Sequence, residues 1–252
     1  MKSIKIWLFI VAFSPAIICR GQEKGSSFIG LNGGVSFPTG NWGKASTATS
    51  LTSLEGTVGD ISGYANTSGF FTIDGAWSFS KHFALGGMFK YGSYNLHGMD
   101  SLSYGYEQSF DVDTTRLTHT DYKIWSIMPG LYYQLQIAKK LSLTARGLIG
   151  ISIASTPQIN VTIEDGGVFD PPVIQYSSGK TSFAFDGGIG LRYRITKCLA
   201  INLNGDYFYT KPDFVINNSP RVNNAGREIY GYNQPLTSIN TSLGIAYLFS
   251  MR

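Results

Sequence analysis

Leu141-Ser142-Leu143-Thr144-Ala145-Arg146-Gly147-Leu148-Ile149-Gly150-Ile151-Ser152-Ile153 decides the fold. Its odd positions are apolar or small, and its even positions are mostly small or polar, with one arginine. A period of two is the signature of a β-strand with two unlike faces. Working outward, the same odd parity recurs in the rows Ile29 to Phe37, Phe71 to Phe79, Phe83 to Tyr91, Trp125 to Leu135, Phe183 to Tyr193, Leu199 to Tyr209 and Ile239 to Phe249. No odd position in these eight rows carries a charge.

The residues between them indicate which face is dry. Gly86, Gly130, Ser142, Gly150, Ser152, Ala184, Gly188, Gly190, Ser242 and Gly244 are small, and the charges among the even positions are few. A soluble barrel would carry its polar face outside, where side-chain size is free. A small, sparsely charged polar row fits the interior of an eight-stranded barrel, which is only wide enough for side chains to fill. The expected fold is all-β: an eight-stranded antiparallel up-and-down transmembrane β-barrel, with odd residues toward lipid and even residues toward the lumen. Lys90, Arg146, Arg192 and Arg194 nearly balance Asp74, Asp186 and Asp206, as a closed interior requires.

Composition agrees. Charged residues make up 14% of the 252, well below the usual quarter, while aromatics are also 14%. No internal stretch reaches the roughly 18 apolar residues of a membrane helix. The N-terminus reads as a secretory signal: Lys2 and Lys5, an apolar core from Ile6 to Ile18, and small residues at Cys19 and Gly21. The domain reading is a signal peptide over 1–21 and a barrel domain over 22–252. Lipidation at Cys19 is disfavoured by the large Ile18 before it. Cleavage removes Lys2, Lys5 and Arg20, so the formal charge falls from +4 to +1 and nothing advertises a nucleic-acid partner. It also leaves Cys198 as the single cysteine, so no disulfide is expected.

Connections alternate in length. Segments 38–67, 93–121, 154–180 and 210–236 are long. The joins at 80–82, 136–140 and 195–197 are short. This is the pattern of outer-membrane barrels, with short periplasmic turns, long extracellular loops and periplasmic termini. The long segments are rich in Gly, Asn, Ser, Thr and Tyr, which suits solvated turns and strand extensions. Phe28-Ile29-Gly30-Leu31-Asn32-Gly33-Gly34-Val35-Ser36-Phe37-Pro38-Thr39-Gly40, Ile127 through Tyr133, and Leu243 through Phe249 resemble the first, fourth and last strands of small OmpA/OmpX-like outer-membrane barrel proteins. The resemblance implies a place in the outer membrane. Two departures stand out: three residues follow Phe249, and Pro129 predicts a local bulge.

Chemistry is thinly signalled. His97 and His119 bracket the second long segment with Asp100, Asp111, Asp113 and Asp121 nearby, but their spacing matches no metal motif. No catalytic, cofactor or metal residues are assigned, and no enzyme is expected. The candidate site is a lumen charge network of Asp74, Lys90, Arg146, Asp186, Arg192 and Asp206, with Arg146 and Asp186 on adjacent strands as an expected ion pair. The function expected is a structural or surface-interaction role through four extracellular loops. Its partners would be outer-membrane lipids, the barrel-assembly machinery and extracellular protein or glycan ligands. A narrow porin-like channel and a loop-borne hydrolase are the alternatives.

Overall fold

In the computed structural model, residues 26–45, 62–165, 167–169, 173–218 and 229–249 are described. The signal segment 1–21, with Cys19, lies outside them. Eight strands close into a barrel: β1 (Ser27–Thr39), β2 (Ser68–Ser78), β3 (Phe83–Tyr94), β4 (Tyr122–Gln136), β5 (Leu141–Ser155), β6 (Gly179–Arg194), β7 (Leu199–Thr210) and β8 (Leu236–Phe249). Each pairs antiparallel with its chain neighbours, and β1 closes on β8 from Ser27 opposite Phe249 to Thr39 opposite Thr237. Closure leaves no barrel edge strand, so every wall has a ladder on both sides.

Parity sorts the side chains as the sequence analysis expects. Ile149 is 64% exposed and Leu243 62%, whereas Ser142, Ser152, Asp186 and Asn240 are buried inside. A surface of this kind, apolar along all eight strands, is at home only in hydrocarbon. Phe71, Tyr91 and Trp125 lie side by side across β2, β3 and β4 near the long-loop end. Phe83 and Tyr133 pair at the other end, with a ring separation of 5.3 Å. Aromatic residues at both levels mark the two interfaces of a membrane barrel.

Pro129 does not produce the expected bulge. It sits opposite Gly87 on β3 without a shift in register. On the β5 side, pairing pauses after Ile127–Ile151 and resumes at Gly130–Leu148 with no residue inserted. The missing N–H costs one stretch of ladder and leaves the strand count of residues intact.

The long connections are more ordered than a loop reading implies. The first opens with a 3-10 turn, Gly40–Gly43, and the second holds helix α1, Met99–Phe110. Above the barrel the walls of β4 to β8 continue as a second sheet, through strands Thr114–His119, Ile159–Asp165, Val173–Tyr176, Asp213–Asn218 and Ile229–Asn233, with Val168–Phe169 folded back on one of them. Short breaks at 120–121, 156–158, 177–178, 211–212 and 234–235 separate the two sheets. Side chains bridge the breaks: Thr120 Oγ1 accepts from the Gln158 N–H at 2.9 Å, Thr156 Oγ1 from the Ser178 N–H at 2.9 Å, and Ser178 Oγ from the Val215 N–H at 3.1 Å.

These breaks invert the inside–outside rule in three of the strands. Ile159 and Val161 are buried, as are Thr115 and Gln175, although all are odd. In the strands that continue β7 and β8, Phe214 and Tyr232 keep the even positions inside. Side chains alternate with a period of exactly two, so a break that turns the backbone about its own axis exchanges the two faces of everything beyond it. Cys198, at the turn between β6 and β7, is disulfide-bonded in the full-length chain. The expectation of no disulfide concerned the chain cut after residue 21, and the removed segment lies outside the described residues.

Candidate functional site: a charged lumen under an aromatic roof

The lumen is crossed at mid-height by ionised side chains. Arg146 on β5 is the hub. Its Nε donates to Asp206 Oδ1 at 3.0 Å and its Nη2 lies 2.8 Å from Asp206 Oδ2, one hydrogen bond and a second ion-pair contact onto β7. Its Nη1 lies 3.3 Å from Asp74 on β2, and its Nε 3.6 Å from Asp186 on β6. Lys90 on β3 completes the set, 3.7 Å from Asp186. Alternation aims all five inward, because each occupies an even position on its strand.

The sixth candidate stands apart. Arg192, lower on β6, is 6% exposed. Its guanidinium stacks on Phe28 at 3.9 Å, and its Nε donates to Asn202 at 2.8 Å. Lys90 also rests on aromatic faces, 4.2 Å from the Phe208 centroid and 5.1 Å from that of Phe70. Three carboxylates and three cations thus share a closed interior with no net charge, which is the condition for ionised groups to survive there.

Several supporting residues escape a reading of charges alone. Asn32 donates to Asp74 at 3.0 Å and to Thr72 at 3.1 Å, fixing the far carboxylate. Gly188 makes room for the central one: a Cβ there would collide with Asp206 Oδ1. Gly30, Gly190 and Gly244 likewise leave room for polar side chains, those of Asp74, Asn204 and Asn32, a signal visible in the sequence only as a lack of bulk.

Over this layer sits an apolar lid. Trp42, in the 3-10 turn, is fully buried and meets Tyr94 and Tyr122 edge-on, at 4.6 and 6.1 Å. The turn is braced by the segment before β2, with Gly63 N–H donating to Asn41 O at 2.8 Å and Ala65 N–H to Trp42 O at 3.0 Å. Between them Tyr64 takes φ 54°, a left-handed conformation that costs a side-chain-bearing residue roughly 1–2 kcal/mol. Complete burial of its ring compensates. Leu102 of α1, Ile159, Phe214, Tyr232 and Leu236 extend the same core upward. Burial pushes the Tyr232 phenol well above its ordinary pKa, so it stays protonated.

The histidines are spent elsewhere. His97 Nε2 lies 3.0 Å from the Gly43 carbonyl, and His119 Nδ1 lies 3.2 Å from the Thr120 carbonyl. Among the described residues no group of three His, Cys, Asp or Glu side chains is arranged to hold a metal.

The family model described as "outer membrane protein beta-barrel domain" matches residues 30–229. The chain belongs to this family. It is an integral β-barrel protein of the outer membrane, in keeping with its apolar exterior. Similar solved structures include a major outer membrane protein from Thermus thermophilus, with TM-score 0.50 and 10% identity over 88% of this chain and 99% of that one. OprG from Pseudomonas aeruginosa gives TM-score 0.48 and 12% identity over 90% and 98%. Ail, the attachment invasion locus protein of Yersinia pestis, gives 0.45 and 16% over 90% and 99%. At such identities the likeness concerns the fold alone. No curated protein matches the chain in sequence. What distinguishes this outer-membrane barrel must therefore be read from its own lumen and roof.

Proposed function

We propose that this outer-membrane barrel serves as a rigid base for an extracellular interaction surface, with both termini in the periplasm, and that its lumen is a structural core without a through-path. The observation that carries the reading is the roof. The four long connections meet in one buried core over the barrel mouth, with Trp42, Tyr94 and Tyr122 at its base. Below it, the Arg146 network spans the lumen from β2 to β7. A pore would line this route with water; here it carries aromatic rings and neutralised ion pairs. Ordering five strand extensions and a helix above the membrane costs conformational entropy that a barrel alone does not need. Polar outward positions on such a platform suit protein or glycan ligands. Outer-membrane lipids around the apolar wall and the barrel-assembly machinery complete its partners.

The test has two arms. In planar bilayers the refolded protein is expected to show no steady conductance, and ohmic channels would favour the porin-like alternative. On cells, the variant Thr114→Ala/Arg116→Ala/Thr118→Ala alters three outward residues of one roof strand; all three are exposed, in a strand that ends the second sheet. It is expected to lose binding on protein and glycan arrays while folding normally. Unchanged array profiles in this and comparable roof variants would remove the interaction role.

A further inference from the structure

The two ends of the barrel differ in charge. Twelve of the sixteen Asp and Glu residues lie in the four long segments. The short-turn end carries Lys81, Lys139, Lys140, Arg194 and Lys197, and none of residues 76–86, 134–144 or 192–202 is Asp or Glu. Lys81, Lys139, Lys140 and Lys197 are exposed. Among the described residues of the three short turns, every charge is therefore positive.

Inside this rim the lumen is not filled to the end. A cavity of ≈ 30 Å³ reaches from Asp74, Arg146 and Asp206 down to Arg192, with Lys81 and His82 at its mouth. Arg146 is consumed by three carboxylates. Arg192 is not: among the described residues its direct partners are the Asn202 amide on Nε and the face of Phe28. Stacking and the single hydrogen bond fix the guanidinium plane. Neither engages the Nη donors, the pair suited to bidentate recognition, and Arg192 lines the cavity. A buried guanidinium without a paired oxyanion is costly, and the asymmetry calls for an acceptor.

We infer that the short-turn end is an oxyanion-binding face, with Arg192 as its deep subsite and Lys81 at the entrance. The ligand is a phosphate-type group. The cavity admits one small group and excludes an organic molecule as a whole. Two carboxylates line it, Asp74 and Asp206, against three cations, Arg146, Arg192 and the entrance residue Lys81, so the charge facing an incoming anion is positive by the margin Lys81 supplies. Phosphate oxygens reach this end from two sources: the headgroup of an anionic phospholipid in the adjacent leaflet, beside the Phe83–Tyr133 pair, or a free oxyanion in solution.

The experiment uses the signal-cleaved protein refolded in phosphatidylcholine nanodiscs. One arm titrates inorganic phosphate against chloride at equal ionic strength and follows the urea unfolding midpoint. The other replaces a third of the lipid by phosphatidylglycerol and counts retained lipids by native mass spectrometry. A rise in midpoint with phosphate supports a free oxyanion, and selective retention of phosphatidylglycerol supports the headgroup. Arg192→Gln is expected to weaken either response about tenfold, as the loss of a charge-assisted bond implies. Lys81→Gln is exposed and keeps the fold testable should Arg192→Gln refold poorly; it is expected to weaken the same response by a smaller factor. Neither response in the wild type, or equal responses in wild type and both variants, would overturn the inference.

Discussion

Arg146 grips Asp206 with two contacts, 3.0 Å from Nε and 2.8 Å from Nη2, while it meets Asp186, on the adjacent strand, through one contact at 3.6 Å. The nearest strand in the ladder is therefore not the strongest partner in the lumen. A barrel interior brings together side chains of strands that are not neighbours, and a long arginine reaches past the adjacent β6 to a carboxylate on β7.

That ranking is measurable. Arg146→Ala is expected to cost ~3–5 kcal/mol, because Asp74, Asp186 and Asp206 lose their shared cation. Asp206→Ala and Asp186→Ala are each expected to destabilise as well. Double-mutant cycles, read by urea unfolding in lipid vesicles, are expected to return a larger coupling for Arg146 with Asp206 than with Asp186. Equal couplings, or purely additive losses, would contradict the geometry.

Gly188→Ala tests the space beside Asp206. The new methyl carbon would collide with Asp206 Oδ1 and stand 2.9 Å from the Gly205 carbonyl oxygen. Overpacking of this kind costs about 1–3 kcal/mol. The penalty is expected to shrink in an Asp206→Ala background, where only the backbone contact remains. A penalty that is the same in both backgrounds would show that Asp206 does not require the glycine.

The lipid face is tested by charge and by labelling. Ile149→Arg, at a position 64% exposed on the outer wall, is expected to destabilise by about 2–4 kcal/mol if it lies at mid-membrane, and a like change near either aromatic level by much less. A membrane-confined thiol reagent is expected to label Leu143→Cys and Ile201→Cys and to spare Ser142→Cys. Equal labelling of the two sets would refute the assignment of faces.

Insertions test the topology. Gly167, exposed at a turn with φ 80°, is expected to accept an epitope that antibodies reach on intact cells. Thr47 and Asn224, in long segments outside the described residues, are expected to behave likewise. Ser109, which reads from sequence as a loop position, lies within α1, so an insertion there is expected to disturb the roof. A tag at Lys139 is expected to stay hidden until the outer membrane is permeabilised. The reverse pattern of access would invert the orientation.

Sequence alone determined the wall. Burial in a barrel is a property of alternate residues, so the uncharged odd rows from Ile29 to Phe249 carry strand number, lipid face and lumen face in the order of the letters. The same rule marks Asp74, Lys90, Arg146, Asp186, Arg192 and Asp206 as inward. It does not say which of them meet, because contacts across a lumen depend on stagger and side-chain reach. Tertiary structure decided that Arg146 gathers three aspartates and that Arg192 stacks on Phe28 instead of joining them. It also decided the roof. Trp42, Tyr64, Tyr122 and Phe214 come from segments far apart in the chain, and the breaks at 120–121, 156–158 and 177–178 reverse the parity on which the reading depends. A periodic pattern survives only while the backbone keeps its period; above the membrane that period is broken, and side-chain packing alone sets what lies inside.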